Sequence, residues 1–123
     1  MISIIIPTLN EASYIERSLQ SIKNQSAENI EIIVVDGGSS DNTVEIAGQY
    51  ADLVKVERSN IAAARNLGAK HARGHVLIFL DADSEIKPDF ALKCEEIFSV
   101  SGIAAAYGKM VPFEEEMTFG LRV

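Results

Sequence analysis

The chain has 123 residues, 47% of them hydrophobic and 24% charged, with a formal net charge of −7. A domain of this size buries its own core, and its apolar content is too high for intrinsic disorder. The acidic balance excludes a general nucleic-acid binder, which needs a basic face, and no apolar stretch reaches the roughly 20 residues of a membrane-spanning helix.

The opening residues MISIIIPTLNE have no basic leader and meet Pro7 early, so no signal peptide is expected. Cys94 is the one cysteine, which rules out an intrachain disulfide. It falls at an apolar position of a helical pattern, where core packing is expected. A reducing, cytoplasmic setting fits that usage, with the inner face of the membrane as the alternative location.

Ile2 to Ile6 is a β-branched run that reads as a central parallel strand ending at Pro7. Thr8-Leu9-Asn10-Glu11 follows, with Asn10 the expected N-cap of a helix. Ala12, Ile15, Leu19 and Ile22 recur at helical spacing and give that helix one apolar stripe. Ile30 to Val35 reads as the second strand. Asp36-Gly37-Gly38-Ser39-Ser40-Asp41 is turn-rich, and Ser40 or Asp41 is placed to cap a short helix through Tyr50.

Leu53 to Val56 reads as a third strand. Asn60 to Ala72 reads as an Ala-rich helix, with Ile61, Ala64 and Leu67 on one side and Gly74 as its stop. Val76 to Leu80 is the fourth strand. Pro88 suits a first helical turn, and Phe90, Cys94, Ile97 and Phe98 form that helix's apolar stripe. Ile103 to Tyr107 and Lys109 to Phe113 read as further strands. Apolar strands alternating with amphipathic helices predict an α/β fold of three layers, α/β/α, around a mostly parallel sheet.

In open parallel sheets, ligands bind beyond the carboxyl ends of the strands, where strand order reverses. The polar residues obey that rule: Thr8, Asn10 and Glu11 after strand one, Asp36 after strand two, Asn60 and Arg65 after strand three, Asp81 and Asp83 after strand four. Extended backbone turns Asp81 and Asp83 to one face, with alpha carbons roughly 6.5–7 Å apart. Two converging carboxylates repel, and one is driven to protonate unless a cation neutralises them. Hard divalent ions such as Mg2+ or Mn2+ suit this pair. They keep one or two carboxylates and fill their remaining positions with water and substrate phosphates.

Other signals carry less. His71 and His75 lack metal-ligand spacing and read as surface or packing residues. Tyr14 and Tyr107 read as partly buried aromatics, and Lys109 as solvent-facing. Ser39 and Ser40 lie in no Gly-x-Ser-x-Gly elbow. No dinucleotide-binding or phosphate-loop glycine signature follows strand one.

Together and in order, IIIPTLNE, VVDGGSSDNT, NIAAARNLGA and FLDADSEIKPD resemble the nucleotide-binding half of a family 2 glycosyltransferase with the GT-A fold. The resemblance runs from residue 2 to about residue 90. It implies a nucleotide-diphosphate-sugar donor, a metal held by the Asp-x-Asp motif, and transfer with inversion at the anomeric centre. It places Pro7, Thr8, Asn10 and Glu11 against the nucleoside, with Glu11 accepting a hydrogen bond from base or ribose. Asp36 matches the acid that contacts the base, and Arg65 falls near base and diphosphate. Asp81 and Asp83 match the acids contacting ribose and metal, with Asp83 the direct ligand.

Two departures matter. Many family members carry Asp-Asp-Gly-Ser where this chain has Asp36-Gly37-Gly38-Ser39, which removes one base contact and leaves the nucleotide open. The family's catalytic base lies well downstream, in an acceptor-binding half, and the sequence after Asp83 is short for such a subdomain. The expectation is one nucleotide-sugar-binding domain over residues 1–123, lacking most of the acceptor half. Glu114 is the candidate base within the chain, although acidic runs such as Glu114 to Glu116 are more often solvated surface.

Two other readings stand beside transfer. A nucleotide-sugar-binding module would hold donor without consuming it. A receiver-type domain would carry a phosphorylatable aspartate and bind no nucleotide; Glu11 and Asn60 to Ala69 lend it no support. The acceptor is unassigned, a lipid-linked molecule or a polysaccharide being the expected classes. Uncovered apolar surface predicts a homodimer.

Overall fold

The computed structural model describes residues 1–99 and, as backbone, residues 107–109 and 120–122. Strands β1 (Ile2–Thr8), β2 (Ile30–Asp36), β3 (Leu53–Val56) and β4 (Val76–Phe79) pair in parallel in the order β3-β2-β1-β4. Helices α1 (Ile15–Lys23), α2 (Thr43–Gly48), α3 (Ile61–His71) and α4 (Phe90–Phe98) alternate with them. The expected three-layer α/β/α arrangement is therefore present.

Strand order explains where the crevice lies. From β1 the chain steps outward to β2 and β3, with α1 and α2 packed on one face of the sheet. It then crosses the other face through α3 and returns to the far side of β1 as β4. Right-handed crossovers place the helices this way. Strand order thus reverses between β1 and β4.

Every residue of β1 is buried, as a strand covered on both faces requires. On one side Ile2, Ile4, Ile6, Ile32, Val34 and Ile78 pack with Ile15, Leu19 and Ile22 of α1 and with Phe90, Ala91 and Cys94 of α4. Each such aliphatic side chain contributes about 1.5–3 kcal/mol by leaving water. On the other side Ile5, Ile33 and Val35 meet Ala64 of α3, with Leu67 partly buried. Gly68 brings α3 close to the sheet, since a Cβ there would stand 2.3 Å from Ile5 Cγ2. Cys94 is in the core as expected, and burial pushes its thiol up to about 11.

Several local expectations change. Strand β1 does not end at Pro7 but continues through it to Thr8, paired Pro7 with Val35. The reason lies in strand lengths. Ile5 accepts the last rung from Leu80 N–H, so the Pro7 nitrogen faces the side where β4 has already stopped. No ladder bond is lost there. Ile61 is 61% exposed rather than core, and Tyr14 is 48% exposed at the start of α1. The inner face of α3 is built from Ala64 and Gly68, because only small residues fit so close to β1.

Of the stretches expected as strands at 103–107 and 109–113, the described part is β5 (Tyr107–Lys109), which pairs antiparallel with β6 (Gly120–Arg122) separately from the main sheet. The remaining residues of those two stretches lie outside the described residues.

The opposite end of the sheet is fastened by a buried carboxylate. Glu31 accepts from the Ser3 hydroxyl at 2.5 Å, the Arg73 amide at 2.6 Å and Arg73 Nε at 3.0 Å. Burial opposes its charge, but these donors outweigh burial and hold Glu31 below the usual carboxylate range.

Candidate functional site

The loops leaving β1 and β2 are interlocked. The Thr8 hydroxyl donates to Asp36 Oδ1 at 2.9 Å, and the Ser39 hydroxyl joins it at 2.6 Å. The Gly38 and Ser39 amides donate to Asp36 Oδ2 at 2.9 and 2.7 Å. Asp36 is fully buried, and these four donors fill the acceptor capacity of a carboxylate. Burial disfavours its charge, yet the donors from Ser39, Gly38 and Thr8 prevail and keep it below the usual range. Its carboxylate organises the loop, with both oxygens engaged by these donors.

Asn10 takes the second position in this lock. It adopts a left-handed φ of 53°, which asparagine tolerates better than most residues. Its amide donates to Ser39 Oγ at 2.8 Å, and its Oδ1 accepts from the Ser40 amide at 2.8 Å. It does not cap α1, whose N-cap position is Tyr14. Next, the Glu11 amide donates to Thr43 Oγ1 at 2.9 Å and the Ala12 amide to Asp41 Oδ2 at 3.2 Å. The Thr43 hydroxyl, its amide and these neighbours hold Asp41 below its ordinary value. Thr8, Asn10, Glu11 and Ala12 of the first loop region are thereby fixed, leaving the Glu11 carboxyl half-buried at the crevice.

Gly37 and Gly38 shape the other wall. Gly38 has φ +102°, a conformation suited to glycine. A Cβ at Gly37 would meet only ordinary contacts, 3.5 Å from Thr8 O, 3.6 Å from Ser59 O and 3.7 Å from Leu9 Cδ1. Position 37 is therefore a slot without a side chain. Arg58, which sequence reading passed over, lies against Gly38, its Cγ 3.1 Å from the position of a Cβ there. Its place on the short link between β3 and α3 was the available clue.

The paired acids stand beyond β4. The strand ends at Phe79, and Asp81 to Ser84 form a tight turn closed by Ser84 N–H to Asp81 O at 3.0 Å. The expected extended geometry is thus replaced by a turn. The outcome for the acids is similar, because Leu80, Ala82 and Ser84 are buried while Asp81 and Asp83 are exposed. Arg65 reaches across from α3, with Nη2 3.4 Å from Asp81 Oδ1. Asn60 starts that helix by accepting from the Ala63 amide at 2.8 Å, which sets the turn from which Arg65 projects.

Electrostatics tie the two halves together. Burial first, then the charges of Asp83, Asp41 and Asp81, raise the Glu11 carboxyl above its ordinary value. The charges of three aspartates thus bear on Glu11, a repulsion that a divalent cation relieves. Among the described residues no three metal-binding side chains gather as a cage. The donor set is all oxygen and short of ligands, which fits Mg2+ or Mn2+ completed by water and phosphate. Glu114 lies outside the described residues.

A doubly wound domain with its acids at the strand-order reversal belongs to the class that holds nucleotides there. The chain is a member of glycosyl transferase family 2, whose model matches residues 3–121. It is 36% identical over 107 residues to the putative glycosyltransferase EpsH of Bacillus subtilis, covering 82% of this chain and 30% of that protein. It is 32% identical over 114 residues to chondroitin synthase of Pasteurella multocida, covering 87% and 12% respectively. The chain thus spans less than a third of either relative. The structure superposes on the mannosyltransferase PcManGT of Pyrobaculum calidifontis, solved with GDP-Man and Mn2+, with a TM-score of 0.82 and 26% identity. That match covers 92% of this chain and 36% of the other. The fold also matches Staphylococcus aureus TarS 1–349 in complex with UDP-GlcNAc, with a TM-score of 0.73 and 24% identity over 93% of this chain and 41% of that one. These neighbours confirm the GT-A fold.

Proposed function

We propose that the chain is the donor-binding domain of a metal-dependent, inverting glycosyltransferase. The observation that carries this is the meeting, at the β1/β4 reversal, of exposed Asp81 and Asp83 with Arg65 and Glu11. Asp83, helped by Asp81, holds Mg2+ or Mn2+. The cation offsets diphosphate charge and stabilises the leaving group. Arg65 exchanges its weak contact with Asp81 for the diphosphate. Pro7, Thr8, Asn10 and Glu11 wall the nucleoside, and Asp36 acts through the loop it holds in shape. The mannosyltransferase solved with GDP-Man and Mn2+ supports a nucleotide-sugar donor and a divalent ion.

The base that deprotonates the acceptor hydroxyl is supplied from outside the described residues. Among those residues, no helix is long and apolar enough to cross a membrane. The test is calorimetric titration of the chain with UDP or GDP in the presence of Mn2+. Binding that disappears in Asp83→Ala is expected. Absence of binding by the wild type, or equal binding by the variant, overturns the proposal. Consumption of a nucleotide sugar separates transferase from binding module.

A further inference from the structure

Residues 85–91, directly after the paired acids, are gripped by a line of polar side chains on α1 and just beyond its end. Arg17 and Ser21 lie four apart and stack on one helix side, and Gln25 follows directly after the C-cap Asn24. Arg17 Nε donates to Glu85 Oε1 at 2.9 Å and its Nη2 to Oε2 at 3.2 Å. Ser21 Oγ accepts from the Ile86 amide at 3.2 Å. Gln25 Nε2 donates to Lys87 O at 2.7 Å and to Ser21 O at 3.0 Å, while its Oε1 accepts from the Ala91 amide at 3.0 Å. The Ser26 amide adds a bond to Pro88 O at 2.8 Å.

Gln25 has a particular place in this line. Helix α4 has no side-chain cap from Asp89, so its first amides need acceptors from elsewhere. Gln25 supplies one to Ala91 and, with the same amide group, ties down the carbonyl of Lys87. Both a donor and an acceptor are required, so neither Glu nor Met reproduces it. Ile86 below is 5% exposed and anchored in the core. Between this grip and Asp83 lies Ser84, itself buried and bonded back to Asp81.

We infer that the Arg17–Ser21–Gln25 line is the positioning element for the metal-bearing turn, with Gln25 as its central residue. The inference rests on the donor-binding reading above. Asp81 and Asp83 sit on an exposed turn, and two carboxylates make a poor cage unless their direction is set in advance. The turn is held from behind on Ile5, through Leu80, and from ahead on α1.

The test uses the full 123-residue chain. Affinity for Mn2+ with UDP or GDP is measured by calorimetry, and amide exchange by NMR, in wild type, Gln25→Met and Gln25→Glu. Glu31→Gln, at the far end of the sheet, serves as a variant destabilised away from the line. Both Gln25 variants are expected to weaken binding about tenfold, the lower end for residues that orient metal ligands. Exchange is expected to quicken at Ile86 and Ala91, while Glu31→Gln changes affinity less than about twofold. Unchanged affinity in Gln25→Met, or faster exchange spread evenly through β1 and β2, overturns the positioning role alone. A wild type that binds neither nucleotide overturns the donor reading and this inference with it.

Discussion

Thr8 and Asp36 close neighbouring parallel strands and are joined directly, the Thr8 hydroxyl donating to Asp36 Oδ1 at 2.9 Å in a fully buried contact. The last register pair of β1 and β2 is thus also the first bond of the site. Both loops that wall the crevice hang from it.

The carboxylate at position 36 is therefore expected to matter for folding before it matters for ligands. Asp36→Ala leaves two part-buried amides and two hydroxyls without their acceptor and should lose at least about 2 kcal/mol. Asp36→Asn keeps the shape, but it has one acceptor oxygen and turns an N–H donor toward two of the four donors, and should lose at least about 1 kcal/mol. Urea unfolding at neutral pH checks the order. Alanine as stable as wild type would show that the loop holds without it.

Acid should unfasten both ends of the sheet. Asp36 and Glu31 are held below their ordinary values in the folded protein. A depressed native pKa contributes stability above the unfolded-state value of about 4, and that contribution is lost as pH falls through the lower native value. Urea midpoints should fall below about pH 4 on account of these two groups. The double variant Asp36→Asn, Glu31→Gln should start less stable and fall less steeply over that window.

Two glycines in helices should respond oppositely. A Cβ at Gly68 would stand 2.3 Å from Ile5 Cγ2, so Gly68→Ala must push α3 off the sheet and lose about 1–3 kcal/mol. At Gly48 nothing lies within 4 Å, and Gly48→Ala should be neutral or up to about 1 kcal/mol more stable. Thermal midpoints of the two variants measure the contrast.

Arg65 separates stability from binding. Its pair with Asp81 is exposed on both sides, with 44% and 52% of the side chains accessible, so Arg65→Ala should change unfolding by less than about 0.5 kcal/mol. If Arg65 meets diphosphate as proposed, affinity for UDP or GDP with Mn2+ should fall about tenfold to a hundredfold, the worth of a hydrogen bond to a charged group. Calorimetry reads the affinity and urea unfolding the stability.

Much of the scaffold was legible because its signals are local. The apolar runs Ile2 to Ile6 and Ile30 to Val35 can serve only as buried strands, and both do. The acids after β4 were legible as a pair because they directly follow an apolar run, although Leu77 and Phe79 of that strand are exposed. Pro7 misled because its tolerance depends on where β4 stops, a fact held some 70 residues away. Ile61 misled because spacing alone does not reveal that α3 approaches too closely for a large side chain. Asn10 and Asp36 were recognised as site residues, but their bonds run to Ser39, Ser40 and Thr8 across two loops. Nothing in the sequence singled out Arg17, Ser21 or Gln25. Their partners, the Glu85 side chain and the amides of Ile86 and Ala91, lie more than 60 residues away, and no sequence pattern marks them.

The reversal of strand order has a consequence in time. β1, α1 and β2 are consecutive, and their interlocked loops form once those elements meet. The metal-bearing turn joins only when β4 docks beside β1, a closure between the two ends of a long intervening chain that is slow on entropic grounds. A growing or refolding chain would thus hold the locked loops of β1 and β2 before it holds the turn of Asp81 and Asp83, and a ligand that needs both would bind only after β4 has docked.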